Sequence, residues 1–273
     1  MRPLADETEL DRLDLQHATF LLTLNGSLHK APIPSDIQHV LDVGTGTGIW
    51  AIDMAGAHPS ATVTGTDLSP VQPACVPTNC RFYVENAEEP WNFDHPFDFI
   101  HSRMLVIALR DWRNYFRQAF ENLKPGGYVE CQDLNFPVRC DDDTAPPESP
   151  MMQWSDMMIQ AAGNLGVDLT ISMHFPQLLH EAGFIDIQVE TYVWPHNQWP
   201  REREMKRLGL YCGENFAQGV HGFSMGLFTR GLGMEPQAVE EFVVKVKAQS
   251  LEVGSHVYLP VSFFWARKPF DVK

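Results

Sequence analysis

The stretch Val40-Leu41-Asp42-Val43-Gly44-Thr45-Gly46-Thr47-Gly48 runs an apolar strand into three alternate glycines, and a second acid, Asp67, closes the next apolar run. A strand that turns at once into a helix needs residues that accept positive φ and place no Cβ between backbone and ligand. A carboxylate at the tip of the second strand can accept hydrogen bonds from both hydroxyls of a ribose. The pattern points to an α/β fold with a nucleoside-containing ligand at the carboxyl edge of its sheet.

Two cofactor classes compete for these residues. Gly46-x-Gly48-x-x-Ala51 fits the dinucleotide fingerprint, whereas Asp42-x-Gly44-x-Gly46 fits the loop that holds S-adenosylmethionine (SAM). Strand register favours SAM. The apolar run ends at Val43, so the tight turn begins at Gly44, and the third small position of a dinucleotide loop would fall on Ile49. Isoleucine is too large for the close helix–strand contact required there. SAM has no pyrophosphate to cradle, and its ammonium benefits from an acid such as Asp42. The bland alternative for Asp42 and Asp67 is turn capping.

The 273 residues suit one large domain or a domain with a cap, and 44% hydrophobic residues suffice for a packed core. A net charge of −15 without a Lys/Arg cluster argues against nucleic acid and anionic membranes as partners. Met1 to Asp14 is charged and acidic, and about 18 apolar residues never run together, so neither a signal peptide nor a membrane span is expected. The five cysteines show no C-x-x-C pairing, which predicts reduced thiols in the cytoplasm or nucleus and no metal site.

Periodicity predicts strands at 39–43, 61–66, 81–85, 97–101 and 127–133, with a helix from Gly48 to about Ala57. Trp112, Tyr115, Phe116, Ala119, Phe120 and Leu123 mark a helix over 111–124, stopped by Lys124-Pro125-Gly126-Gly127. Pro70, Pro73 and Pro77 predict a short or irregular crossover between strands two and three. Further helices are expected at about 150–166 and 173–182 and a strand over 184–194. Residues 195–260 read as glycine-rich turns followed by a helix at about 237–252, and 261–268 as a last strand. Leu10, Leu13, His17, Phe20, Leu21 and Leu24 share one face of an N-terminal helix.

These segments resemble the class I SAM-dependent methyltransferases, and among them the fungal LaeA-like family tied to secondary metabolism. The resemblance spans nearly the whole length. It is carried by Asp11-Arg12-Leu13-Asp14-Leu15-Gln16-His17, Leu28-His29-Lys30-Ala31-Pro32-Ile33, the glycine loop, and Gly65-Thr66-Asp67-Leu68-Ser69-Pro70-Val71-Gln72-Pro73. Ala87-Glu88-Glu89-Pro90-Trp91, Phe97 to Arg103 and Lys124 to Glu130 complete it. It implies a Rossmann-like seven-stranded sheet with an antiparallel last strand, an N-terminal helix, and a helical lid inserted before the final strand. The implied organisation is a cap at 1–38, a SAM-binding core at 39–194, a substrate lid at 195–260 and a final strand at 261–273.

The resemblance also implies roles. Asp42 and the loop of Gly44, Thr45, Gly46 and Gly48 would hold the methionine end of SAM, Asp67 the ribose, Leu68 the adenine face, and Asn86, Ala87 and Glu88 the adenine edge. Asn86 departs from the family's usual aspartate and is a weaker acceptor. His101, Ser102 and Arg103 would border the activated methyl group. A base is required only for a weakly acidic acceptor; the candidates are His17, His101 and Asp133, with His174 or His221 from the lid. Met151, Met152, Trp154, Trp199, Phe216, Phe223, Met225 and Phe228 suggest an apolar acceptor, and core packing explains most of them equally well. The favoured function is methyl transfer to a small-molecule acceptor. Alternatives are a regulatory SAM-binding protein acting through protein partners, and a SAM-binding catalyst that does not methylate.

Overall fold

A computed structural model describes residues 7–270; the first six residues of the expected cap and the last three of the expected final segment lie outside them. The chain runs α1 (Glu7–Thr23), β1 (His39–Val43), α2 (Ile49–Ala57), β2 (Thr62–Asp67), β3 (Cys80–Val84), β4 (Phe97–Arg103), α3 (Trp112–Asn122) and β5 (Leu123–Leu134). It continues through α4 (Pro150–Asn164), α5 (Phe175–Glu181), β6 (Ile185–Pro195), α6 (Arg203–Gly231), α7 (Pro236–Leu251) and β7 (Tyr258–Arg267). The seven strands form one sheet in the order β3-β2-β1-β4-β5-β7-β6, with only β7 antiparallel to its neighbours. This is the expected sheet.

Helices cover both faces, so β1 is apolar on both sides: Val40 packs with Trp50, Met54 and Phe99, whereas Leu41 packs with Phe20, Phe97 and Phe116. The first expected strands and helices are found within a few residues of their expected limits. α3 starts at Trp112 because the Asp111 carboxylate accepts from the Asn114 amide at 2.9 Å. It stops at Asn122, before the glycines, because Leu123 already pairs with Phe97 in the sheet. No helix separates β2 from β3, as the prolines require. Among the described residues no helix is long and apolar enough to cross a membrane.

The clearest departure is α6. Its six glycines, expected to form turns, lie within a 29-residue helix. Tertiary packing against backbone accounts for three of them: a Cβ on Gly231 would stand 2.4 Å from the carbonyl oxygen of Ala161 on α4. A Cβ on Gly209 would stand 2.0 Å from the carbonyl oxygen of Asn197, and one on Gly213 would stand 2.5 Å from that of His196. These glycines let the helix lie directly on the backbone that leaves β6. From there α6 packs on α1, α4 and α7.

Two substitutions separate the packing glycines from the incidental ones. Gly222 has nothing within 4 Å of an added Cβ, so Gly222→Ala is expected to stabilise by about 0.5–1 kcal/mol through helix propensity. Gly209→Ala is expected to destabilise by about 1–3 kcal/mol through overpacking. Urea unfolding of both variants checks the pair.

Candidate active site

The site lies above the carboxyl ends of β1, β2 and β4, under α1. Gly44, Gly46 and Gly48 have φ of +71°, +57° and +82°. A Cβ on Gly44 would meet Leu105 at 2.4 Å, and one on Gly48 would meet Phe82 at 2.4 Å. A side chain is therefore disfavoured by conformation at all three glycines and by space as well at Gly44 and Gly48.

Asp42, 2% exposed, accepts from His101 Nδ1 at 2.7 Å and from Thr45 Oγ1 at 2.5 Å. A carboxylate only accepts, so Nδ1 of His101 carries the proton and Nε2 the lone pair. That Nε2 is buried and makes no hydrogen bond among the described residues. Burial pushes the His101 pKa down to about 4 against the pull of Asp42, and the neutral ring stacks on Trp50 at 3.7 Å and 5°.

Two residues along the same face of β4, Arg103 donates through Nε to Gln132 at 2.9 Å and through Nη1 to His17 Nδ1 at 3.0 Å. Its guanidinium lies 4.1 Å over the Phe20 ring, and its Nη2 is buried without a hydrogen bond among the described residues. A guanidinium only donates, so His17 accepts at Nδ1 and its Nε2–H points to Asp53 at 3.0 Å. Burial, reinforced by the Arg103 charge, lowers the His17 pKa. Both nitrogens are engaged. His17 therefore lacks the uncommitted lone pair that the expected base requires; it bridges α1 to Arg103 and α2.

Two further expectations are corrected. Asp133 is fully buried and is not a base in the cleft: its Oδ2 accepts the amides of Leu105 and Val106 at 2.9 Å each, and its Oδ1 accepts that of Leu134. It fixes the loop after β4. Ser102 does not border the cleft, because successive strand residues face opposite sides; its hydroxyl points to Cys131 Sγ at 3.4 Å.

Asp67 Oδ2 accepts from the Gly46 amide at 2.9 Å and its Oδ1 from Ser69 at 2.9 Å. Burial raises its pKa in spite of these bonds. Leu68 stands 53% exposed at the rim. Asn86 spends an oxygen lone pair on the Glu88 amide at 3.1 Å, and Glu88 in turn accepts the Arg110 amide at 2.8 Å. Leu68, Asn86, Ala87 and Glu88 line one cavity of about 490 Å³, and Asp42, Arg103, His101 and the glycine loop line an adjoining one of about 330 Å³. Asp67 belongs to both.

A third cavity, of about 320 Å³, lies between α1, α4, α6 and the ends of β6 and β7. Trp154, Phe216 and Phe223 line it, as the lid reading allows, while Phe228 and Met151 are buried in the core. It shares Gln16, Met104, Ile107, Ala108 and Phe223 with the loop cavity. His174 and His221 are exposed and line none of these spaces.

Several contributors were missed in the sequence. Gln72 ties Gly46 to Ser69 through its side-chain amide, Arg12 joins Glu9 to Asn215 across α1 and α6, and His196 lines the third cavity. Gln72 and Arg12 stand within family motifs, which marked them without stating their roles. His196 directly follows a strand end on the ligand edge, a signal available from topology alone.

The sheet order and this cleft define the SAM-dependent methyltransferase class. Residues 17–189 match the methyltransferase domain family, and the chain belongs to that family, in the fungal LaeA-like branch. It is 35% identical over 266 residues to methyltransferase pytC of Aspergillus terreus, covering 97% of this chain and 82% of that one. It is also 35% identical over 271 residues to the secondary metabolism regulator LAE1 of Cochliobolus heterostrophus, covering 97% and 88%. Among solved structures, phosphoethanolamine N-methyltransferase 2 of Haemonchus contortus, in complex with SAM, shares the fold with a TM-score of 0.57 at 20% identity, covering 98% of this chain and 58% of that one. The chain is thus an enzyme, a methyltransferase that uses SAM.

The anchoring role of Asp133 has two measurable consequences. Asp133→Ala leaves buried amides without an acceptor, at about 1–3 kcal/mol each, whereas Asp133→Asn keeps an acceptor and loses less. Burial holds the Asp133 pKa at about 7, above the unfolded value of about 3.9. The folded state thus binds the extra proton, and the group's contribution to stability falls as pH rises from about 4 to about 7. Unfolding free energies measured across this range are expected to decline less steeply in Asp133→Asn than in the wild type.

Proposed function

We propose that this enzyme transfers the methyl group of SAM to a small, largely apolar acceptor held in the cavity between α1, α4 and α6. The observation that carries this reading is the common wall of Gln16, Met104, Ile107, Ala108 and Phe223, which joins a charged cleft to an apolar chamber. A pocket of about 300–1,000 Å³ lined mainly by hydrophobic side chains is typical of small-molecule sites.

The residues of the cleft fit SAM. The unpaired Nη2 of Arg103 suits the methionine carboxylate, Asp42 lies where an ammonium is favoured, and Asp67 reaches a ribose at the tip of β2. Leu68 offers an apolar face to adenine, with Asn86, Ala87 and Glu88 at its edge. When bound, SAM supplies an electrophilic methyl group on a cationic sulfur. The chain's own residues orient the two ligands and exclude water, which is the larger part of such catalysis. Of the candidate bases His17, His101 and Asp133, His101 keeps an uncommitted lone pair, at Nε2.

On this reading the described part of the expected cap, residues 7–38, covers the cofactor, 39–194 form the SAM-binding core, 195–260 supply much of the acceptor site, and 261–270 return the chain to the sheet. The apolar cavity beside the cofactor cleft supports metabolite tailoring over a regulatory role.

Calorimetric titration tests the cofactor site. SAM and S-adenosylhomocysteine are expected to bind and NADH is not. Asp67→Ala and Arg103→Ala each remove hydrogen bonds involving a charged group, worth about 1.5–3 kcal/mol, so each is expected to weaken both ligands by about tenfold or more. Binding unaffected by either substitution would move the cofactor away from this cleft. Methyl-labelled SAM incubated with apolar candidate acceptors then reports transfer.

A further inference from the structure

β6 and β5 both pair antiparallel with β7, so β6 runs parallel to β1–β5 and its last residue, Pro195, lies at the same carboxyl edge as Asp42 and Asp67. The next residue is His196. It is 4% exposed and lines the 320 Å³ cavity, and neither ring nitrogen has a hydrogen-bond partner among the described residues. Buried polar groups are nearly always paired, because leaving them unpaired is costly.

The position of His196 is enforced. Its amide donates to Val257 at 3.1 Å, its carbonyl lies against Gly213 of α6, and its ring sits edge-on to Phe216 at 4.5 Å and 87°. The side chain of the following residue, Asn197, donates to the carbonyls of Ser250, Glu252 and Ser255. A side chain held on so fixed a backbone is preorganised for whatever it meets.

The other polar groups around this chamber are differently placed. The Asn215 oxygen accepts from Arg12 at 3.0 Å. Arg230 is exposed, with its Nε bonded to the Gly226 carbonyl. Gln16 belongs to the wall shared with the cofactor cleft, and burial pushes the Cys212 thiol far up.

We propose that His196 is the polar anchor of the acceptor cavity, and that it selects an uncharged hydroxyl carried on an apolar, ring-sized scaffold. This assignment rests on the methyltransferase reading of the cavity and narrows its acceptor class. Burial alone pushes the His196 pKa down to about 4, with no acid nearby to oppose it, so the ring is neutral and offers one N–H and one lone pair. A hydroxyl both donates and accepts and can pair with either tautomer. A carboxylate only accepts, so it would use the ring N–H alone, leave the other nitrogen unpaired and bring a charge into a buried apolar site.

Full-length protein saturated with S-adenosylhomocysteine is titrated with 2-naphthol, naphthalene and 2-naphthoate, followed by quenching of tryptophan emission from Trp154 and Trp194. The wild type is expected to bind 2-naphthol about tenfold more tightly than naphthalene and to bind 2-naphthoate more weakly than 2-naphthol. His196→Phe should erase the naphthol preference while leaving naphthalene affinity and S-adenosylhomocysteine affinity unchanged, and His196→Gln, which keeps a donor and an acceptor, should retain part of it. The assignment is overturned by any of three results: wild-type protein without a preference for naphthol, including one that binds neither compound; tighter binding of naphthoate; or a preference that survives in His196→Phe. If His196→Phe fails to fold, the wild-type preference and His196→Gln decide. Loss of S-adenosylhomocysteine binding by the wild type would instead overturn the cofactor site, which separates the two failures.

Discussion

A carboxylate buried at the end of a central strand must be satisfied, and the way Asp42 is satisfied organises the catalytic edge. One oxygen orients His101 on β4 and the other holds Thr45 in the glycine turn. The bond to His101 fixes the imidazole tautomer and leaves Nε2 uncommitted, while the stack on Trp50 fixes the ring plane. Two strands, a turn and a helix are thereby locked together around one acidic group. In a low-dielectric setting such a network is strong only when every member has its partner. The polar atoms that remain unpaired here, Arg103 Nη2 and His101 Nε2, belong to residues that line the cleft.

The roof depends on a second set of contacts of the same kind. His17 joins Arg103 to Asp53, Arg12 joins Glu9 to Asn215 on α6, and Asp14 receives Thr47 of the loop at 3.0 Å. Along one helix, α1, successive polar side chains reach the sheet, the insertion and the glycine turn. Apolar packing supports the same arrangement: Phe20 meets Trp194 and Phe263 edge-on, which seats α1 against the β6–β7 end of the sheet. Charge and packing agree on where the helix lies.

Much of this was legible in the sequence because the relevant signals are local. The glycine turn, Asp42 and Asp67 are read from the strict needs of a strand-to-helix turn, and the apolar runs gave the strands because both sheet faces are covered. α6 was not legible. Its glycines carry a turn-like composition, and the reason for Gly209 and Gly213 is a backbone 12 to 17 residues away that only the fold brings near. Asp133 and His17 looked like bases because an acid or a histidine near a cleft is ambiguous until its hydrogen bonds are known. Ser102 was avoidable: the two-residue period of β4 places it opposite His101 and Arg103. His196 was hidden for the opposite reason, since no motif contains it and only the parallel course of β6 puts it on the ligand side.

The chain leaves the sheet at Pro195 and rejoins it at Tyr258, and these two residues are directly paired in the β6–β7 ladder. The long excursion that carries α6 and α7 therefore has ends already held side by side by main-chain hydrogen bonds. For such a segment the entropy of closing the loop grows only logarithmically with its length. Changes in its length therefore cost little closure entropy, provided that a buried face such as that of Val220, Phe228, Val239 and Val246 still packs on the core beneath. The architecture in effect separates inheritance of the cofactor site from inheritance of the walls above it, so one lineage can change its acceptor without rebuilding its chemistry.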